Sequence, residues 1–216
     1  MLTEDAYQKI KNMIFLQKLA PGQKLTYSEF SETFKMSPTP IINALYRLER
    51  DGIVESVPFK GFYVKKIDLP EAWDLFGVRE ALEAHVVEQV IRIAQPDDLT
   101  LLEEKFARHA DYLPKVYDRK RLMLDSEFHI QLASLGKNQV LTQQLSAIFE
   151  HFYIRFKFDE MELSRLQSSV EEHRRIIETI RNKDIQGSRE AIHQHVQNAR
   201  DHIIHCLSSD PVYRQA

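Results

Sequence analysis

The chain has 216 residues, 43% of them hydrophobic, with 29 Lys and Arg, 32 Asp and Glu, and a single cysteine. That length suits one large domain or two small ones, and no apolar run approaches the roughly 20 residues that cross a bilayer. One cysteine excludes an internal disulfide, and the start Met-Leu-Thr-Glu-Asp lacks the basic and apolar segments of a signal peptide, so a cytoplasmic protein without membrane contact is expected.

Charge is unevenly spread. Residues 1–67 hold 10 Lys and Arg against 7 Asp and Glu, and the remainder holds 19 against 25. A mildly basic end on an acidic body fits nucleic-acid binding there, although a difference of this size is common by chance.

In chain order, Thr3 is a candidate cap for a first helix with Glu4 and Asp5 in its opening turn and an apolar stripe of Tyr7, Ile10, Ile14 and Leu16. Leu19-Ala-Pro-Gly22 is a turn. Thr26-Tyr-Ser-Glu29 reads as a capping box opening a short helix with Phe30 and Phe34 inward. Ser37 and Pro38 open a third helix, in which Ile41, Ala44, Leu45 and Leu48 recur every three to four residues until Asp51-Gly52 stops it. Two short strand patterns follow, 53–57 and 62–64, joined through Pro58-Phe-Lys-Gly61. Three helices and a β-hairpin make a winged helix-turn-helix, with the third helix for the major groove of double-stranded DNA and the hairpin as wing. A small α+β domain that binds protein has the same pattern.

Leu19-Ala-Pro-Gly-Gln-Lys-Leu25, the run Ser37-Pro-Thr-Pro-Ile-Ile-Asn-Ala-Leu-Tyr-Arg-Leu-Glu-Arg-Asp-Gly-Ile-Val54 and Lys60-Gly-Phe-Tyr-Val64 resemble the DNA-binding domain of GntR-family transcription regulators. The likeness runs over about 60 residues and implies operator binding. Tyr27, Ser28, Ser37, Thr39, Asn43, Arg47, Lys60 and Gly61 are the candidate DNA contacts; Arg47 alternatively pairs on the surface with Glu49 or Asp51. Family members carry arginines where this chain has Pro38 and Ile42. Losing them removes guanine and phosphate contacts, so the operator of relatives does not transfer.

After a short linker, Lys65–Pro70, the chain reads as helices near 70–94, 97–112, 115–135, 138–157, 160–182 and 185–207, broken at Gly136-Lys-Asn138 and Asn182-Lys-Asp184. Short connections favour an antiparallel six-helix bundle. The expected fold is therefore mainly α: a winged helix-turn-helix over 1–67, a helical metal-, effector-binding and dimerisation domain over 68–209, and a frayed tail over 210–216. Trp73, Phe76, Leu82, Val86 and Val90 form a long stripe for the core or a dimer interface.

Inside the bundle pattern, Asp125 and His129 lie one helical turn apart on a face shared with Leu122, Leu132 and Leu135. His173 shares a face with Val170, Ile177 and Ile180, and His195 with Ile192 and Ala199. Any one of these is more often a hydrogen-bonded core histidine than a ligand. Three core-facing imidazoles with one carboxylate shift the reading towards a metal site, and suit Zn²⁺, Ni²⁺, Fe²⁺ or Mn²⁺. His193 points elsewhere, and His85, His109, His151, His202 and His205 read as surface or packing.

Asp125-Ser-Glu-Phe-His129, Glu172-His-Arg-Arg-Ile-Ile177 and Ala191-Ile-His-Gln-His-Val196 resemble the metal-binding segments of the FCD effector domain of the FadR subfamily of GntR regulators. Six helices are similar to the VanR-like branch. The resemblance implies Asp125, His129, His173 and His195 as ligands, Zn²⁺ foremost, and a small carboxylate metabolite held beside the metal. Arg79 matches a family arginine and can clamp a carboxylate, or form a surface pair with Glu83; Tyr153 and Arg155 are further candidates for the effector pocket.

The function expected is a homodimeric, ligand-responsive transcription regulator. A metal-dependent enzyme is the alternative, disfavoured because no general acid or base, phosphate loop or nucleophile motif accompanies the site. A third reading makes the metal structural, or itself the signal.

Overall fold

The computed structural model describes residues 2–95, 97–115, 118–156 and 164–209. The expected tail at 210–216 lies outside the described residues, as do the expected helical residues 116–117, 157 and 160–163. The chain divides into two compact units. One takes the described residues of Met1–Ile67 and Glu150–Lys157, the other those of Asp68–Phe149 and Phe158–Ala216.

The first unit contains α1 (Leu2–Phe15), β1 (Lys24–Leu25), α2 (Tyr27–Phe34), α3 (Pro38–Arg50), β2 (Val54–Val57) and β3 (Gly61–Val64). The strands form an antiparallel sheet in the order β1-β3-β2, registered by Val54 opposite Val64 and Leu25 opposite Phe62. β1 escapes the sequence pattern because two residues are too short to show alternation. Ile10, Ile14, Ile41, Leu45 and Leu48 are fully buried, and Val54 and Val64 close the core from the sheet. Burying each such side chain contributes about 1.5–3 kcal/mol.

Several local expectations change. α1 begins at Leu2, so Thr3 lies within it, and Leu16 is exposed rather than part of the stripe. Thr26 and Ser37 take N-cap positions in extended backbone, but neither side chain makes a capping bond. Gly52, with φ +72°, supplies the left-handed residue that turns the chain out of α3. Phe59 reaches the same region, φ +62°, at the hairpin tip.

The second unit is a bundle of α4 (Leu69–Ile93), α5 (Asp98–Asp111), α6 (Arg119–Leu135), α7 (Gln139–Arg155, whose last residues belong to the first unit), α8 (Ser164–Arg181) and α9 (Ile185–Ser209). α4 packs on α9, α8 on α9 and α5 on α6. Side-chain caps fix where helices start: Asp68 accepts from the Glu71 N–H at 2.8 Å, and Asp118 from the Arg121 N–H at 2.9 Å. The second cap explains why α6 opens at Arg119 and not at 115. In the breaks at 136–138 and 182–184, Lys137 and Lys183 adopt the left-handed conformation. Asn138 and Asp184 then cap the next helices through the Leu141 and Gly187 N–H groups. Of the apolar stripe on α4, Phe76, Val86 and Val90 are buried, while Trp73 lies half-exposed under the Arg200 guanidinium at 4.4 Å.

Candidate metal centre and DNA-binding face

On α6, Asp125 and His129 project from one face because four residues make about one turn. Leu132, a turn further, is fully buried, as is Phe128 beside His129, so this face is driven into the bundle. α8 brings in His173 beside the buried Ile176 and Ile177, and α9 brings in His195 between the buried Ile192 and Val196. One donor atom from each of Asp125, His129, His173 and His195 lies within 4.8 Å of every other.

The Nε2 atom of His129 is 3.0 Å from Nε2 of His195 and 3.2 Å from Nε2 of His173. Asp125 Oδ1 is 3.4 Å from His173 Nε2, and Asp125 Oδ2 is 3.8 Å from His129 Nε2. On the far side of two rings stand carboxylates: Nδ1 of His129 is 2.5 Å from Glu83, and Nδ1 of His195 is 2.8 Å from Glu172. An ionised carboxylate only accepts, so each of these rings donates from Nδ1 and, when it carries that one proton alone, offers Nε2 as a lone pair. Lone pairs aimed at one another across 3.0 Å repel unless positive charge lies near them. Arg79 supplies some: its Nη2 lies 3.0 Å from His129 Nε2 and 3.2 Å from His195 Nε2, while its Nε donates to Glu83 at 2.6 Å.

These separations suit a cation. Metal–imidazole bonds of about 2.0–2.1 Å place two ligand nitrogens about 3.0 Å apart at a right angle and about 3.4 Å apart at a tetrahedral one. Nitrogen donors with one carboxylate match Zn²⁺, Ni²⁺, Fe²⁺ or Mn²⁺. The electrostatics agree. Burial holds His173 well below the usual imidazole range, and pushes His195 down to about 4 despite its bond to Glu172. Both stay neutral near pH 7, the form that binds metal. Burial alone would raise the Glu83 carboxyl, but His129 and Arg79 outweigh it and hold it at about 2. Asp125 is likewise held well below its ordinary value, with burial opposing and His129 the largest lowering influence.

Arg79 departs from the surface pair expected as its alternative. It pairs with Glu83, but the pair is buried: the side chains are 4% and 1% exposed. Its guanidinium also lies 4.6 Å over the Phe149 ring. Tyr153 and Arg155 are not brought to this cluster. They belong to the first unit, where Tyr153 stacks on Phe15 at 4.3 Å and Arg155 donates to the Lys66 carbonyl at 2.8 Å. Phe149 stacks on His129 at 5.4 Å; Arg155, six residues further, is turned by about 240° round the helix, and Tyr153 is a full turn beyond.

Sequence reasoning missed the roles of Glu172 and His109, and gave Glu83 only as a surface partner of Arg79. His109 is fully buried on α5 and not on the surface, with Nε2 3.6 Å from Asp125 Oδ1. Burial pushes its imidazole down to about 3, so it too is neutral. The signal was present: Leu99, Leu102 and His109 fall on one helical face. Glu172 left none, because it sits beside His173 in sequence yet reaches His195 on α9. His193, as expected, points away, to Glu80 at 2.6 Å.

In the first unit, Tyr27, Ser28, Ser37, Thr39, Asn43, Lys60 and Gly61 are all exposed. Arg47 is partly buried and pairs with Glu4, not with Glu49 or Asp51, its guanidinium 4.0 Å over the Tyr7 ring. α1 folds across that end of α3 and offers the nearer carboxylate. Thr39, Asn43, Tyr46 and Arg50 make the solvent face of α3. Tyr46 and Arg50 were overlooked, although spacings of four, three and four residues mark one helical face.

Comparison with known proteins gives this arrangement a family. Residues 74–198 match the FCD domain, and residues 2–64 match the gntR family of bacterial regulatory proteins. The uncharacterized HTH-type transcriptional regulator YdhC of Bacillus subtilis is 25% identical over 93% of this chain and 90% of its own. The Nta operon transcriptional regulator of Aminobacter aminovorans is 27% identical over 87% of each. Among solved structures, E. coli McbR/YncC superposes with a TM-score of 0.77 over 97% of this chain and 99% of its own, at 19% identity, a likeness of fold. The relatives are transcription regulators and not enzymes, and no described helix is long and apolar enough to cross a membrane. This chain belongs to the GntR family of DNA-binding transcription regulators, with an FCD domain behind its winged helix-turn-helix.

Proposed function

We propose that this regulator binds a divalent cation, Zn²⁺ foremost, through Asp125, His129, His173 and His195, and that a small organic acid bound beside it alters operator affinity. The observation that carries the reading is the convergence of three imidazoles and one carboxylate from α6, α8 and α9 on a common point. Purely structural packing gives no reason to aim three buried imidazole nitrogens at one point. When bound, the cation would supply a Lewis-acidic point that an acid's oxygen can share.

Arg79 is the residue of this chain best suited to the acid. Its guanidinium is buried beside the donor atoms, and in a low-dielectric site it can take a carboxylate through two N–H groups. Glu83 and Glu172 hold the His129 and His195 rings so that Nε2 faces inward.

Output runs through the first unit. The exposed face of α3, with Thr39 and Asn43, reads base edges, and the wing with Lys60 and Gly61 contacts the backbone, helped by Tyr27, Ser28, Ser37 and Arg47. A homodimer in the cytoplasm would present two such faces to half-sites about 34 Å apart. The acid shifts the equilibrium only by binding one arrangement of the dimer better than the other.

To test this, an operator is selected from random duplex DNA, and mono- and dicarboxylates are titrated into its complex with Zn²⁺-loaded protein. At least one acid should change operator affinity about 5- to 150-fold, the range of ordinary allosteric coupling, and Arg79→Lys should abolish that change. An operator affinity that no acid moves defeats the effector reading.

A further inference from the structure

We propose that His109 belongs to the cation site as a positioning residue, donating its Nε2–H to Asp125 while that carboxylate serves the cation. The inference rests on the cation reading above and assigns a fifth residue to it.

Three imidazole nitrogens crowd the Asp125 carboxylate: His173 Nε2 at 3.4 Å, His109 Nε2 at 3.6 Å and His129 Nε2 at 3.8 Å. Two of them, on His173 and His129, belong to the converging donor set, and each must offer a lone pair there to hold a cation. His109 stands outside that set. It is the one of the three free to carry its proton on Nε2 without obstructing a cation. A carboxylate has lone pairs enough to serve a cation and an N–H together.

His129 and His195 each have a carboxylate behind them that fixes the ring. Asp125 needs an equivalent, because a carboxylate turned about its Cβ–Cγ bond would swing its oxygen away from the common point. Ligands without such support lose affinity. α5 brings His109 to that place. Leu99 and Leu102 anchor the same face in the core, and Arg121 donates to the His109 carbonyl, which holds the backbone there.

His109 is otherwise hard to account for. It is fully buried, and neither ring nitrogen has a hydrogen-bond partner. An unpaired buried donor costs about 1–3 kcal/mol, and an apolar side chain at this position would avoid that cost. The 3.6 Å gap to Asp125 exceeds hydrogen-bond length, but a shift of about half an ångström closes it. The His109 ring also lies 4.7 Å from that of His173, so the same side chain braces a second ligand.

The test compares His109→Phe and His109→Gln with the unmodified full chain. Zn²⁺ affinity is read by competition with a chromophoric chelator, the ligand field by the visible absorption of the Co²⁺ form, and folding by denaturation of metal-free protein. His109→Phe should weaken Zn²⁺ binding about 10- to 100-fold and change the Co²⁺ spectrum, while the metal-free protein is at least as stable as the unmodified one. His109→Gln, whose amide places an N–H near the Nε2 position, should bind Zn²⁺ within about threefold of the unmodified chain. Should His109→Phe not fold, His109→Leu takes its place. Zn²⁺ affinity unchanged in His109→Phe, or as weak in His109→Gln as in His109→Phe, overturns the proposal. Failure of the unmodified chain to bind Zn²⁺ defeats the cation reading itself, an outcome distinct from either.

Discussion

The two units bury different kinds of residue: among the described residues, every buried polar or charged side chain but Arg155 lies in the second. The core of the first is aliphatic, with Ile10, Ile14, Ile41, Leu45 and Leu48 sealed by Val54 and Val64, and its chemistry lies on the outside, along α3 and the wing. The second buries Arg79, Glu83, His109, Arg121, His129, His173 and His195 among its helices. A reader of DNA needs only a rigid scaffold beneath an exposed face. A sensor of small ligands needs polar groups out of water, where each interaction is stronger and each unpaired group is costly. On the proposed function, the contrast gives stability to one core and specificity of binding to the other.

Mutation of each core should break it differently. Leu45→Ala, deep in the first unit, should cost about 2–5 kcal/mol of stability and leave Zn²⁺ affinity untouched, as read by urea denaturation beside chelator competition. A matching loss of Zn²⁺ affinity would show that the two cores are not independent. Glu172→Gln should do the reverse, weakening Zn²⁺ binding about 10- to 100-fold while unfolding midpoints hold, because it releases the His195 ring without opening a cavity. On the exposed face, Asn43→Ala should cost about 1–3 kcal/mol of operator binding at one base pair if Asn43 reads adenine. An equal loss on every sequence would place it on phosphate instead.

Acid sharpens the contrast further. In metal-free protein His109 is held down to about 3, His195 to about 4, and His173 well below 6.5, each chiefly by burial. Folded pKa values below the unfolded ones mean that the unfolded chain takes up protons first as pH drops. Stability should therefore fall from about pH 6.5 downward, until the folded values near 4 and 3 are passed. Glu83, held at about 2, adds a loss of the same sign below its ordinary 4.5. Denaturation across that range should show a shallower slope for His109→Phe, which removes one of these protons. The smallest effect belongs to Arg47→Ala: its pair with Glu4 is exposed, and losing it should leave the unfolding midpoint nearly unchanged.

Much of this was legible before any coordinates. Helical periodicity located every helix of both units to within a few residues, because each buries a stripe with spacing of three to four. The same stripes put Asp125, His129, His173 and His195 on inward faces. What stayed hidden was set by tertiary contact. No local pattern says that Glu172 turns from its own neighbour to His195, or that Arg79 and Glu83 form their pair inside the bundle. His109 was passed over for lack of a partner on its own helix, while the carboxylate it approaches, Asp125 at 3.6 Å, stands on α6.

The most direct test is X-ray absorption at the zinc edge of the loaded, full-length protein. One Zn²⁺ per chain with about three imidazole nitrogens and a carboxylate oxygen near 2.0–2.2 Å is the predicted result. Zinc bound in less than one equivalent, or scattering without imidazole shells, would contradict the four-donor centre on which the sensor reading stands.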